Sequence, residues 1–367
     1  MSSFLYAVYH VESDAGSIEQ RAAAIAVEQS VEMPVAAIDD DFVLSEIVGR
    51  VEAIHPLDGG RFEVRVGLST RTIGNDAGQL LNMLFGNTSL QDDVVLHDVE
   101  IPGALAMGFG GPRVGLEGLR RLVGAEKRAM TCSALKPQGS TPAKLAGVAR
   151  RMAEGGIDYI KDDHGLADQD YSGFAARLAA VTGALRGAAR AGGTSTHYIP
   201  SLSGDLDAMR RQIARAREAG IVAVMIAPMI AGLSNFHRLV VENPGLAFMA
   251  HPTMAGASRI APPLLLGKLF RLLGADAVVF PNHGGRFGYS PDTCKALAQA
   301  ALQDWHGLRP AVPVPAGGMT LDRVPEILDF YGADSMLLIG GNLLQARDRM
   351  SEAAAAFVDQ VQRHAHG

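Results

Sequence analysis

Lys161, Asp162, Asp163 and His164 stand side by side directly after the apolar run IDYI. Side chains alternate along an extended chain, so Lys161 and Asp163 share one side, Asp162 takes the other, and His164 lies just beyond on the following loop. A carboxylate and an imidazole so placed can hold a divalent cation, and a lysine beside them can carry a proton. A surface run of solvated charges is the competing reading. It is the weaker one, because unpaired charges that continue a buried strand are costly. The segment is therefore expected to form the centre of an active site.

Polar residues recur at the ends of other apolar runs: Lys136 closes one, His197 and Ser201 another, His251 a third, and Asn282 with His283 a fourth. A lone histidine is more often a satisfied structural residue than a catalyst. Several at equivalent strand ends are harder to dismiss. Gly317 and Gly318 follow one run and Gly340 and Gly341 another, each pair just before a helix-like stretch. Such glycines let the backbone approach a phosphate while the N–H groups of the next helix point at it. One pair alone would read as a tight turn; two on consecutive strands point to a phosphate site.

A repeating unit must position these residues. From about residue 129, eight short apolar runs (MTCSAL, IDYIKD, THYIPS, VAVMIA, LAFMAH, AVVFP, AVPVPA and SMLLIG) alternate with longer helix-like stretches. That is the rhythm of a (β/α)₈ barrel, whose chemistry sits at the carboxyl ends of the strands. Thr141 before Pro142 and Ser290 before Pro291 mark helix starts. In DLDAMRRQIARAREAG, residues Leu206, Met209, Ile213 and Ala216 share a face opposite an arginine-rich one, as on an outer barrel helix. Residues 1–118 read differently. FLYAVYHV, VGRVEAIHPL and RFEVRVGL predict strands, and SIEQRAAAIAVEQS and DAGQLLNMLFG helices, which makes an α+β domain. The expected fold is α/β, an N-terminal α+β domain (1–118) followed by a C-terminal (β/α)₈ barrel (119–367), joined by a turn-rich linker, GALAMGFGGPRVG. The terminal RHAHG is expected to fray.

Composition narrows the function. No uncharged apolar run is long enough to span a membrane, and MSSFLYAVYH lacks the regions of a secretory signal, so a cytoplasmic protein is expected. The net charge of −6 and scattered basic residues argue against nucleic acid, although a local pocket can still take a small anion. Cys132 and Cys294 lie far apart and read as buried free thiols.

Over nearly its whole length the sequence resembles the large-subunit fold of RuBisCO and the RuBisCO-like proteins. LKPQG around Lys136 is similar to the family's first catalytic-lysine motif, and GGIDYIKDDHG to its GGLDFxKDDE; the HY at 197 and 198, His251, AGG at 316 to 318 and IGG at 339 to 341 follow in family order. AVEQS with Glu28, FGN with Asn87 and FGGPRVG resemble segments that reach a neighbouring subunit's site. The resemblance implies a carbamylated Lys161, made with carbon dioxide; Asp163 and His164 as further metal ligands; Lys136 as acid/base and His251 orienting a substrate hydroxyl. It also implies phosphate contacts at Gly318, Gly340 and Gly341, and Glu28 and Asn87 supplied across a homodimer interface; Gly317 and Asn282 at their strand ends and Arg286 on the loop are further expected phosphate or substrate contacts. The implied metal is Mg²⁺, while the imidazole of His164 shifts preference toward Mn²⁺ or another transition ion.

The sequence also departs from that family. The third metal ligand, usually Glu, is His164; the arginine that follows the rim histidine is Pro252, with Arg286 able to compensate; and NHGGRFGYS lacks the lysine of true RuBisCO. Carboxylation of ribulose bisphosphate is therefore not expected. The leading expectation is enediolate chemistry leading to decarboxylation, transcarboxylation or hydrolysis of a phosphorylated 3-oxo sugar acid, of the 3-oxo-isoapionate 4-phosphate type, in carbohydrate catabolism. One alternative is an isomerase or enolase of a phosphorylated ketose of the methylthioribulose phosphate type. Another is a non-catalytic protein that binds a phosphorylated metabolite.

Overall fold

The computed structural model describes residues 4–190 and 195–365; the first three residues of MSSFLYAVYH and the last two of RHAHG lie outside the described residues. Four antiparallel strands form the N-terminal sheet: β1 (Phe4–Glu12), β2 (Arg50–Leu57), β3 (Arg61–Ser69) and β4 (Val94–Glu100), in the order β2-β3-β1-β4. Leu5, Ala7, Tyr9 and Val11 alternate onto one buried face of β1. Ile18, Ala22 and Ile25 of the helix Ile18–Glu28 and Leu80 and Leu84 of the helix Ala77–Phe85 belong to the same core.

The eight expected barrel strands all form. They are β5 (Met130–Leu135), β6 (Tyr159–Asp162), β7 (His197–Ile199), β8 (Ala223–Ile226), β9 (Ala247–Ala250), β10 (Ala277–Pro281), β11 (Val312–Ala316) and β12 (Met336–Ile339). They pair in parallel in the order β7-β6-β5-β12-β11-β10-β9-β8. The seam closes just past β7, where Leu202 N–H donates to Met225 O (2.8 Å) and Met225 N–H to Pro200 O (2.9 Å).

Strand parity sorts the side chains. Met130, Cys132, Tyr159, Ile199, Met249, Val279, Val314 and Leu338 fill the barrel interior, whereas Ile160, Tyr198, Val278, Phe280 and Leu337 belong to the layer under the helices. The helix starts fall where the hydroxyl–proline pairs place them: Thr141 Oγ1 accepts from Lys144 N–H and Ser290 Oγ from Thr293 N–H. Met209, Ile213 and Ala216 form the buried face of the helix Leu206–Glu218.

The glycine-dense linker is not all turn. Gly103–Phe109 is helical and stops at Gly110, whose φ of 86° favours glycine. A second helix, Gly115–Val123, begins at the end of that segment and spans residue 118. Leu116 and Leu119 on it seal the amino-terminal mouth of the barrel, and Tyr159 Oη donates to Leu119 O (2.7 Å). The start of this helix is tied to the barrel by Asp276, whose Oδ1 accepts from Val114 and Gly115 N–H (2.7 Å each) and whose Oδ2 accepts from Phe248 N–H. The expected frayed tail is helix through His364. Among the described residues no helix is long and apolar enough to cross a membrane. Both cysteines are buried and unpaired, as expected.

Candidate active site

Counting on from the interior residues of each strand, Lys136, Lys161, Asp163 and His251 all fall on the inward parity at the carboxyl-terminal rim. Lys136 Nζ lies 2.6 Å from Asp163 Oδ1, and His164 Nδ1 lies 3.6 Å from the same oxygen. The ring of His164 stacks on that of His251 with centroids 4.6 Å apart and planes 15° from parallel. The structure thus joins residues from three strand ends into one cluster.

Burial sets the character of each group. Lys161 is only 3 % exposed, and Nζ donates to the Asp162 carbonyl (3.0 Å). Burial lowers its pKa below the ordinary lysine value. Burial also holds the His251 imidazole neutral, its pKa pushed down to about 2 with the Lys161 charge adding to the effect. His251 Nδ1 is 2.6 Å from Thr253 Oγ1. At Asp163 burial works to raise the pKa, but hydrogen bonds from His164 and Lys136 and the charges of both lysines outweigh it. That carboxylate stays ionised.

Asp162 points the other way, as alternation requires. It is fully buried between strand and helix, with Oδ2 3.0 Å from Arg177 Nε and 3.0 Å from Ser201 N, while Oδ1 accepts from Tyr198 Oη at 2.6 Å. Burial works against the Arg177 charge, and Asp162 outweighs it, keeping the guanidinium ionised. Arg177 escaped the sequence reading. Its signal was an arginine on the apolar stripe of Phe174, Leu178 and Val181.

Two expected rim residues sit elsewhere. His197 begins β7 instead of ending it, and its Nε2 lies 3.1 Å from Leu122 O in the helix that closes the opposite mouth. Asn282 has the outward parity of Val278 and Phe280; it is fully buried and accepts from Tyr331 Oη at 2.7 Å. It braces the strand end from behind, away from the rim interior. Arg286 is exposed, with its guanidinium 4.9 Å from the Phe287 ring centroid.

Residues 115–361 match the family model for the ribulose bisphosphate carboxylase large chain, catalytic domain.

The chain belongs to the RuBisCO large-chain family.

Within that family it is a RuBisCO-like protein. It is 61 % identical over 362 residues to the 5-methylthioribulose-1-phosphate isomerase of Rhodospirillum rubrum, covering 98 % of this chain and 97 % of the relative. It is 32 % identical over 314 residues to the 2,3-diketo-5-methylthiopentyl-1-phosphate enolase of Geobacillus kaustophilus, covering 83 % of this chain and 76 % of that one. The crystal structure of the Rubisco-like protein from Rhodopseudomonas palustris superposes with a TM-score of 0.92 at 55 % identity, over 99 % of this chain and 98 % of its own.

Among the described residues no group of three or more His, Cys, Asp or Glu side chains could hold a metal ion. Carbamylation of Lys161 would add a carboxylate-like donor beside Asp163 and His164, which alone are too few for a metal site. The buried Lys161 fits that role, since burial lowers its pKa and so makes the neutral amine, the form that can take up carbon dioxide, more accessible. The glycine pairs also fit close approach. Gly317 and Gly318 have φ of 94° and 66°, and Gly318 is held by Arg323 Nη1 on its carbonyl (3.1 Å). Gly340 and Gly341 face open space. In the N-terminal domain Asn87 Nδ2 donates to Glu28 Oε1 (2.9 Å), so the structure brings this expected pair together.

Proposed function

We propose that this RuBisCO-like protein isomerises a phosphorylated ketose of the 5-methylthioribulose 1-phosphate type through an enediolate. The observation that carries this reading is the 61 % identity, over 98 % of the chain, to a relative named for that isomerisation. The expectation of decarboxylating a 3-oxo sugar acid finds no support in the relatives named above. The isomerase and enolase alternative replaces it.

Moving a carbonyl along a sugar chain removes a proton beside the carbonyl and returns one to another carbon, with no net gain or loss of atoms. It needs a proton carrier and a partner for the oxyanion that forms in between. Lys136 is the proton carrier in this reading, oriented by Asp163 at 2.6 Å. His251, held neutral, is assigned the tautomer in which Thr253 Oγ1 donates to Nδ1, which leaves the proton on Nε2 to orient a substrate oxygen. Carbamylated Lys161, Asp163 and His164 would hold Mg²⁺ or Mn²⁺, which when bound supplies positive charge for the enediolate. Gly317, Gly318, Gly340 and Gly341 would hold the phosphate. Glu28 and Asn87 would complete the site of a second subunit in a homodimer.

The test is incubation with 5-methylthioribulose 1-phosphate in D₂O, followed by proton and carbon NMR. A positional isomer carrying deuterium, with no carbon dioxide released, is the expected result. Turnover of 2,3-diketo-5-methylthiopentyl 1-phosphate without turnover of the ketose would favour an enolase, and inertness toward both would refute the proposal.

A further inference from the structure

A cavity of about 360 Å³ opens behind the rim, between the helix Pro142–Glu154 and the chain that follows β12. Lys136, Arg151 and Arg347 line it with three cations against one carboxylate, Asp348, while Val148 and Leu344 form apolar wall. Neither arginine is paired with a carboxylate among the described residues. The Nε of Arg151 is buried and has no hydrogen-bond partner there, an arrangement that normally implies a missing acceptor. Arg347 is held at a φ of 48°, in the left-handed region that long side chains rarely adopt.

Guanidinium groups match oxyanions through paired N–H donors. We infer that this cavity binds a phosphate-type dianion, as a second anion site distinct from the glycine pairs; the binding stands without the isomerase proposal, and only its effect on turnover rests on it. Lys136 connects it to the active site, since the same side chain lines the cavity and pairs with Asp163. An anion seated there competes with Asp163 for the Lys136 ammonium, so occupancy lowers turnover without touching the substrate.

Calorimetric titration of the purified protein with inorganic phosphate, and in parallel with glycerol 3-phosphate, tests the site; the tighter of the two shows whether free phosphate or a phosphate monoester is the occupant. Arg151→Gln and Arg347→Asn, the latter chosen because asparagine tolerates a left-handed φ, are each expected to weaken binding at least about tenfold, the loss of one charge-assisted contact. Gly318→Ala, which alters the other anion site, is expected to leave this binding event in place. Circular dichroism melting confirms that each variant folds. Phosphate affinities equal to the parent's in both arginine variants, or complete loss of binding in Gly318→Ala alone, would overturn the inference. An Arg151 that serves only the carboxyl end of its helix would give the first of those results.

Discussion

Asp162 and Asp163 are neighbours in the chain and opposites in role. Asp162, on the outer face of β6, is fully buried, and its charge is matched by Arg177, Tyr198 and a backbone N–H. Asp163 has the inward parity, and it meets a lysine and an imidazole that can themselves move protons or bind a ligand. The same division holds for the cluster as a whole. The outer face surrounds its buried carboxylate with fixed partners against a burial that still raises its pKa, while the inner face leaves the buried Lys161 and the half-buried His251 without an ion-pair partner among the described residues, their charged forms disfavoured. One alternating strand thus builds a rigid support and a reactive surface from consecutive residues.

If that division is right, substitutions on the two faces fail in different ways. The largest effect belongs to the inner face: Lys161→Ala is expected to lower turnover of the proposed phosphorylated ketose by about 10³-fold or more, since under the proposed function it would remove both a metal ligand and the charge that the ligand places. Lys136→Met is expected to cost about 10²- to 10⁴-fold, the usual contribution of a proton carrier. Both variants should melt within a few degrees of the parent. Steady-state kinetics beside thermal melts check this, and a Lys161→Ala protein that turns over normally would erase the distinction between the faces.

The outer face should fail by unfolding. Asp162→Asn leaves the Arg177 guanidinium buried without a carboxylate and is expected to cost about 3–5 kcal/mol in urea denaturation. Replacing both partners by apolar residues, Asp162→Leu with Arg177→Met, should recover much of that loss, because the unpaired buried charge is gone. If the double variant is as unstable as the single one, the pair contributes more than charge neutralisation, and the register of β6 itself depends on it.

How much of this division was legible in the sequence depends on how regular each element is. Barrel strands buried on both faces read as short apolar runs, so all eight were visible, and parity alone sent Lys161 and Asp163 inward. The same parity sends Asn282 outward, and reading it as a substrate contact ignored the alternation that had worked at residue 161. β4 was missed for a physical reason. Tyr9 pairs with Leu96 and Val8 with Asp98, so a bulge at His97 breaks the alternation, and the buried residues fall at 94, 96 and 99. In GALAMGFGGPRVG the glycines hid a two-turn helix whose buried residues, Ala106 and Phe109, are too few to show a period. Thr253 carried no signal, because only the fold places its hydroxyl on His251.

The smallest effect reports on the inner face through pH. The imidazole of His251 is held at a pKa of about 2, against an ordinary value of 6.5. Between those values the unfolded chain binds a proton that the native chain lacks. Stability from this group is therefore present above about pH 6.5 and is lost as the pH falls, by up to about 1.4 kcal/mol per pH unit. His251→Leu should flatten the acid limb of the stability curve between pH 6.5 and 4.5 while leaving the neutral plateau in place, as urea midpoints at each pH would show. An acid limb unchanged by His251→Leu would mean that His251 is protonated in the native protein, and the neutral donor assigned to it at the rim would have to be given to another group.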